Sequence, residues 1–148
     1  MKTTKNNEVK YEIYHWGSFF FSILIGFLFL KFKPSKFNSL CYEYFYWFIC
    51  CQIVSFFLVI SLYYEIEARG KDAFTGKYGT PMGGYVLWFF IFNFISTIYF
   101  LYKLYVCKCF VHFYHNDFIN FCLIIFGLII FIFTFYLLIK FIIKAMNY

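Results

Sequence analysis

Charged side chains divide the chain into four long stretches that carry no charge. These stretches cover residues 13–30, 44–64, 85–102 and 118–139. Each is about 20 residues long, which is the length of helix needed to cross a hydrocarbon core of about 30 Å. Lipid offers no partner for a free backbone N–H or C=O, so these segments must be helical. The pattern predicts an all-α integral membrane protein with four transmembrane helices and short loops.

The segments outside these stretches are short and polar. Residues 1–12 mix positive and negative charges, and we expect them to be disordered or to lie on the lipid headgroups. Residues 65–84 contain most of the glycines and the only arginine, Arg69, which predicts a turn-rich loop. A tight connection at residues 112–117 joins the third and fourth spans.

Composition excludes a soluble domain. The 148 residues are 64% hydrophobic and 14% charged, whereas soluble chains are about 45–50% apolar and about 25% charged. The net charge of +6 suits anionic lipid headgroups, and no clustered basic patch indicates nucleic-acid binding. The expected environment is therefore a lipid bilayer.

The basic residues predict an orientation. With four spans, both termini and the 65–84 loop share one side, and this side carries more Lys and Arg than the other. The positive-inside tendency then places both termini in the cytosol or matrix. Residues 1–12 contain Lys but no Arg, together with Glu8 and Glu12, unlike an import presequence. We therefore favour a plasma or secretory-pathway membrane over the mitochondrial inner membrane.

A stripe of small residues marks the first span. Ser18, Ser22 and Gly26 recur every fourth residue and so share one helix face, where another backbone can approach closely. This face can dock a partner subunit or pack against the chain's own spans, and the sequence leaves both readings open. In either case it should point away from lipid.

The other spans carry a few hydrogen-bonding side chains. Gln52 lies in the second span, and Asn93 and Thr97 lie one turn apart in the third. Asn93 and Thr97 could clasp another helix, since an interhelical hydrogen bond contributes about 0.6–2 kcal/mol. Channels and transporters usually mark their route with ionisable groups inside the membrane, and the cores of these spans have none.

The densest chemical cluster follows the third span, with the spacing C-x-C-x2-H-x2-H-x-D. Its thiol, imidazole and carboxylate groups are ligand types that zinc accepts, but the spacing matches no established zinc pattern. We therefore expect neither a metal nor a cofactor. Haem ligation within one chain is also disfavoured, because His15 and the histidines of this cluster fall on opposite sides of the bilayer. The weak metal candidates are Cys107, Cys109, His112, His115 and Asp117.

The six cysteines do not form a disulfide framework, and we expect free thiols. Cys50, Cys51 and Cys122 should be buried. Cys41, Cys107 and Cys109 share one side, so Cys41 could bridge to either of the others if that side is oxidising. If the side is cytosolic, the same residues are candidates for palmitoylation.

These observations favour a non-catalytic accessory or regulatory subunit within a larger multi-spanning membrane complex, such as an ion-pumping ATPase, a transporter or a respiratory assembly. No small-molecule substrate is inferred. One alternative is a small homo-oligomeric channel or carrier, with Gln52, Asn93 and Thr97 facing a central path. Another is an interfacial membrane enzyme using His112, His115 and Asp117.

Overall fold

The computed structural model describes residues 2–37, 39–70, 72–75 and 82–147. Within these ranges the chain forms helices and no strands. The helices are α1 (Lys2–Lys31), α2 (Leu40–Arg69), α3 (Asp72–Thr75), α4 (Met82–Val106), α5 (Cys109–Asn116) and α6 (Phe118–Met146). Four of them, α1, α2, α4 and α6, are long and apolar enough to cross a membrane. The predicted all-α fold with four long apolar helices is confirmed.

Helix α2 lies at the centre, and α1, α4 and α6 pack around it. Half of the most apolar stretch of α2 is buried, against 17–22% for the other three. The outer helices direct large apolar side chains away from the protein, for example Phe27, Phe92 and Ile132. In water this surface would be unfavourable, but in a bilayer it faces a solvent of the same polarity.

Two apolar clusters fill the contacts around α2. The first, near the carboxyl end of α2, contains Phe19, Leu58, Val59, Leu62, Ile66, Ala73, Val86, Phe90, Leu138 and Ala145. The second, near its amino end, contains Cys41, Phe48, Leu104, Cys109, Phe113 and Ile124. The interior is therefore packed with side chains along its length.

The helix boundaries correct two expectations. Helix α1 begins at Lys2, so the prediction of disorder in residues 1–12 is wrong for residues 2–12, which contain no Gly or Pro and keep their backbone hydrogen bonds within the helix. Helix α2 continues to Arg69, where Gly70, at φ 58°, donates its N–H to the carbonyl of Ile66. Residues 65–69, 72–75 and 82–84 of the predicted 65–84 loop are thus helical, and residues 71 and 76–81 lie outside the described part.

The connection between α4 and α6 is also more ordered than expected. Lys108 adopts a left-handed conformation, at φ 54°, and separates α4 from the short helix α5. Residues 112–116, predicted as part of a tight connection, belong to α5, and Asp117 then caps α6 by accepting a hydrogen bond from the backbone N–H of Asn120. The turn is therefore made at Lys108 and Asp117.

Gly127 sets the distance between α6 and α2. A Cβ atom added to Gly127 would lie 2.7 Å from Cε1 and 3.1 Å from Cζ of Phe48, whose ring is fully buried. We expect Gly127→Val to destabilise the folded state by about 1–3 kcal/mol through overpacking. Reversible unfolding in mixed detergent micelles measures this difference.

Gly17→Val is the matched control for this substitution. Gly17 lies in α1, and an added Cβ there meets nothing within 4 Å. Its unfolding free energy should stay close to that of the wild type, because the new side chain faces lipid. Equal losses of stability for the two variants would refute the close approach of α6 to α2.

Candidate functional site

Helices α1 and α4 both pack on α2 but leave a groove between them. This α1/α4 groove has a volume of about 280 Å³ and opens toward the lipid-facing surface. Phe19, Ser22, Ile23 and Gly26 of α1, Val54 and Leu58 of α2, and Phe89, Phe92, Asn93 and Ser96 of α4 line it. Small and polar residues on a lipid-facing surface are typical of the interfaces between transmembrane helices.

The small-residue stripe of α1 both packs against α2 and helps to line the α1/α4 groove. Ser22 is 2% exposed, and its hydroxyl donates to the carbonyl of Phe19 at 2.7 Å. A Cβ added to Gly26 would lie 4.0 Å from Cγ2 of Val54, so the stripe packs against α2. Ser22 and Gly26 also line the groove, whereas Ser18 is half-buried and is not among its lining residues.

Asn93 is the most polar residue of the groove, and it joins α4 to α2. Its Nδ2 donates to the carbonyl of Cys51 at 2.7 Å and to the hydroxyl of Ser55 at 2.5 Å. Within the described residues, its Oδ1 accepts no hydrogen bond. Since Asn93 is half-buried and lines the groove, an acceptor is left without a partner at the lipid surface.

The two hydroxyls near Asn93 differ in accessibility. Ser96 is half-buried in the groove and donates to the carbonyl of Phe92 at 3.0 Å. Thr97 is fully buried and donates to the carbonyl of Asn93 at 2.9 Å. Of the two residues predicted to clasp another helix, Asn93 therefore does so with α2 of the same chain, whereas the hydroxyl of Thr97 donates within α4. The groove exposes Asn93 and Ser96 rather than Thr97.

A second polar site, the His15 cluster, joins α1 to the carboxyl end of α2. It consists of Glu12, His15, Ser61, Glu65 and Arg69. His15 and Glu65 are both at most 1% exposed, and Nε2 of His15 lies 3.6 Å from Oε2 of Glu65. Nδ1 of His15 lies 3.0 Å from both the carbonyl and the hydroxyl oxygen of Ser61.

Arg69 connects this buried pair to the surface. Its Nε lies 3.5 Å from Oε1 of Glu65, and its Nη2 donates to Oε1 of Glu12 at 3.2 Å. Phe19 stacks on the His15 ring, with centroids 6.4 Å apart, and also lines the groove. The His15 cluster therefore lies next to one end of the α1/α4 groove, in the amino-terminal half of α1.

This cluster was not predicted from the sequence, where His15 was considered only as a haem ligand and Glu65 as a loop residue. The sequence did contain a signal for this cluster. When two antiparallel helices are joined by a short connection, the residue numbers of each contacting pair add up to a nearly constant value. The contacts of Tyr46 with Phe29, Gly26 with Val54 and Glu12 with Arg69 all follow this rule.

The opposite end of the protein is held by a disulfide between Cys41 and Cys109, with Cα atoms 5.3 Å apart. The expectation of free thiols is wrong for these two residues, and the alternative in which Cys41 bridges to Cys109 is confirmed. Cys50 and Cys51 are buried as predicted, but Cys122 is exposed, because its position on α6 faces outward. Cys107 is an exposed free thiol.

The five weak metal candidates are not gathered into a site. Cys109 is bonded to Cys41, and Asp117 caps α6 while its Oδ2 accepts hydrogen bonds from the hydroxyl of Tyr42 and from Asn120. In the part of the chain that the structure describes, no group of three His, Cys, Asp or Glu side chains could hold a metal ion.

The residues of the channel alternative also point in different directions. Gln52 is 3% exposed and lies on the α6 side of α2, where its Cγ would be 3.7 Å from a Cβ at Gly127. Asn93 contacts α2 from the α4 side, and Thr97 is fully buried one turn further along α4. The histidines considered as haem ligands are also apart. His15 contacts Ser61 near the carboxyl end of α2, while His112 contacts the Tyr42 ring near the amino end of α2, so these histidines lie at opposite ends of the bundle.

No known protein family matches the chain, and no curated protein or solved structure is significantly similar to it.

Proposed function

We propose that this chain is a non-catalytic accessory or regulatory subunit that binds a larger multi-spanning membrane protein within the bilayer. The α1/α4 groove is the binding surface, and its occupant is a transmembrane helix of the partner. The observation that carries this proposal is the unpartnered Oδ1 of Asn93 in a groove that faces lipid. Lipid cannot donate a hydrogen bond to this oxygen, whereas a Ser, Thr, Asn or Gln side chain of a neighbouring helix can.

The shape of the groove supports the same occupant. Gly26 and Ser22 have small side chains on the α1 wall of the groove, so a second backbone can approach α1 closely. Phe92 lies at the rim of the α4 wall. Packing and hydrogen bonding drive association between helices in lipid, because exposed apolar surface alone gives no advantage there. A single partner helix bearing a donor and small residues would use both features.

We also infer an orientation from the disulfide. Disulfides persist in oxidising compartments, so the end that contains Cys41 and Cys109 faces the lumen or the exterior. The amino end of α1 and the carboxyl ends of α2 and α6 then face the cytosol, in agreement with the distribution of Lys and Arg. This assignment favours a plasma or secretory-pathway membrane, and it argues against palmitoylation of Cys107.

Filling the groove should weaken partner binding strongly. Ser96→Phe places a large ring between α1 and α4, and we expect the larger partner to co-purify at least about tenfold less well, a change of about 1.4 kcal/mol. The measurement is affinity purification of the tagged chain from its native membrane in mild detergent, with the partner quantified by mass spectrometry.

Ile95→Phe is the matched control for this purification. Ile95 is the neighbouring residue on α4, is 60% exposed and does not line the groove. It should leave the yield of partner unchanged. Undiminished yield from Ser96→Phe, or purification of the wild type as a homo-oligomer without a larger protein, would contradict the proposal, and the second result would favour the channel alternative.

A further inference from the structure

The hydrogen-bond donors around His15 can be assigned from its contacts. The Ser61 carbonyl accepts hydrogen bonds only, and the Ser61 hydroxyl donates its hydrogen to the carbonyl of His15 at 3.2 Å. Both Ser61 oxygens that lie 3.0 Å from Nδ1 are therefore acceptors toward the ring. Nδ1 must carry a hydrogen to satisfy them.

This assignment creates a conflict at the other ring nitrogen. A neutral imidazole with its hydrogen on Nδ1 turns the lone pair of Nε2 toward Oε2 of Glu65, 3.6 Å away. Within the described residues neither Nε2 of His15 nor Oε1 of Glu65 has a hydrogen-bond partner. Both side chains are at most 1% exposed, so bulk water does not separate them. A proton on Nε2 removes the conflict by turning the contact into an attraction.

The charges of the cluster lead to the same conclusion. Glu12 is 44% exposed, so the buried carboxylate of the cluster is that of Glu65, whose Oε1 lies 3.5 Å from Nε of Arg69. A proton on His15 places a second positive charge beside this buried carboxylate, on the side of Oε2, and so favours its charged form.

Other elements bring no described charge to the pair. Phe19 of α1 lies between the pair and Phe89 of α4. The ring of Tyr64 stacks with that of Tyr11 and makes a tilted contact with that of Tyr14. On α2, Glu67 is paired with Lys144 of α6. Within the described residues, Glu12 and Arg69 are thus the charged side chains in contact with the His15–Glu65 pair.

We propose that His15 and Glu65 form a buried proton-binding site, in which one proton held on Nε2 of His15 and facing Oε2 of Glu65 fastens α1 to α2. The ligand of this site is the proton itself. Because Arg69 and Glu12 connect the pair to the polar side of the membrane, protons can be exchanged with the compartment that faces the termini. When the proton is lost, the lone pair of Nε2 of His15 faces the carboxylate of Glu65. The resulting repulsion weakens the contact between the two helices.

Glu65→Gln tests the site because glutamine can donate. Its Nε2 amide hydrogen satisfies the lone pair of His15 without an added proton, so the variant should bind about one proton fewer per chain at neutral pH. Nitrogen-15 NMR of histidine-labelled protein in lipid nanodiscs reports this directly. In the wild type both nitrogens of His15 should carry hydrogen, and in Glu65→Gln only Nδ1 should.

His112 and His115 provide internal references in the same spectra, and Glu43→Gln is the control variant. Glu43 is a partly exposed carboxylate at the opposite end, paired with Lys33, and its replacement should not change the His15 signals. A neutral His15 ring in the wild type overturns the proposal even if Glu65→Gln does not fold. An unchanged doubly protonated ring in Glu65→Gln overturns it as well.

Discussion

His15→Leu should destabilise the folded chain by about 3 kcal/mol, toward the lower end of the range for breaking a buried ion pair. The substitution fills much of the volume of the imidazole, but it leaves the Glu65 carboxylate buried at 1% exposure with only the 3.5 Å contact to Arg69. It also removes the hydrogen bond from Nδ1 to the Ser61 carbonyl. Reversible unfolding by SDS in lipid bicelles gives the free energy.

A double substitution separates the effect of the buried charge from that of packing. His15→Leu combined with Glu65→Met removes both members of the pair, and we expect it to be about 2 kcal/mol more stable than His15→Leu alone, since no unpaired charge remains. His112→Leu, at a half-exposed position, should have little effect. Additive losses in the double variant would show that the two side chains do not interact.

Cys41→Ser should destabilise the protein by about 2–4 kcal/mol under oxidising conditions. The disulfide closes a loop with a sequence separation of 68 residues, and its removal frees the unfolded chain to a much larger set of conformations. In the folded state it holds the amino end of α2 against α5, where Cys109 and Phe113 are fully buried. Unfolding with and without reductant measures the contribution.

Cys107→Ser is the control for the disulfide, because Cys107 is an exposed free thiol two residues from Cys109. It should behave like the wild type, and reductant should lower its stability to the same extent. Reductant should have no further effect on Cys41→Ser. If Cys107→Ser rather than Cys41→Ser lost the response to reductant, the pairing would be wrong.

The spans could be predicted because one physical constraint dominates them. A charge inside hydrocarbon is so unfavourable that the uncharged stretches alone locate α1, α2, α4 and α6. Their ends were less certain, since a helix can continue into water where no residue stops it. This is why α1 reaches back to Lys2 and α2 extends to Arg69, where Gly70 provides the positive φ that ends it.

The groove, the His15 cluster and the disulfide could be predicted only in part, because they depend on contacts between helices that the composition does not determine. The stripe of Ser22 and Gly26 was found from its spacing, and so was Asn93, but the unpartnered Oδ1 depends on how α4 lies against α2. The His15 cluster required the register of the α1–α2 hairpin. The choice of Cys109 rather than Cys107 for the disulfide required the left-handed turn at Lys108, which determines which thiol faces Cys41.

Site-specific photocrosslinking in the native membrane tests the accessory role most directly. A photoreactive residue at Phe92, on the rim of the α1/α4 groove, should crosslink to the same larger membrane protein that co-purifies with the chain, and Ser96→Phe should abolish that adduct. The same probe at Phe126, which is 61% exposed on α6, should give lipid adducts. Lipid adducts alone at Phe92, or a partner adduct that survives Ser96→Phe, would contradict the account.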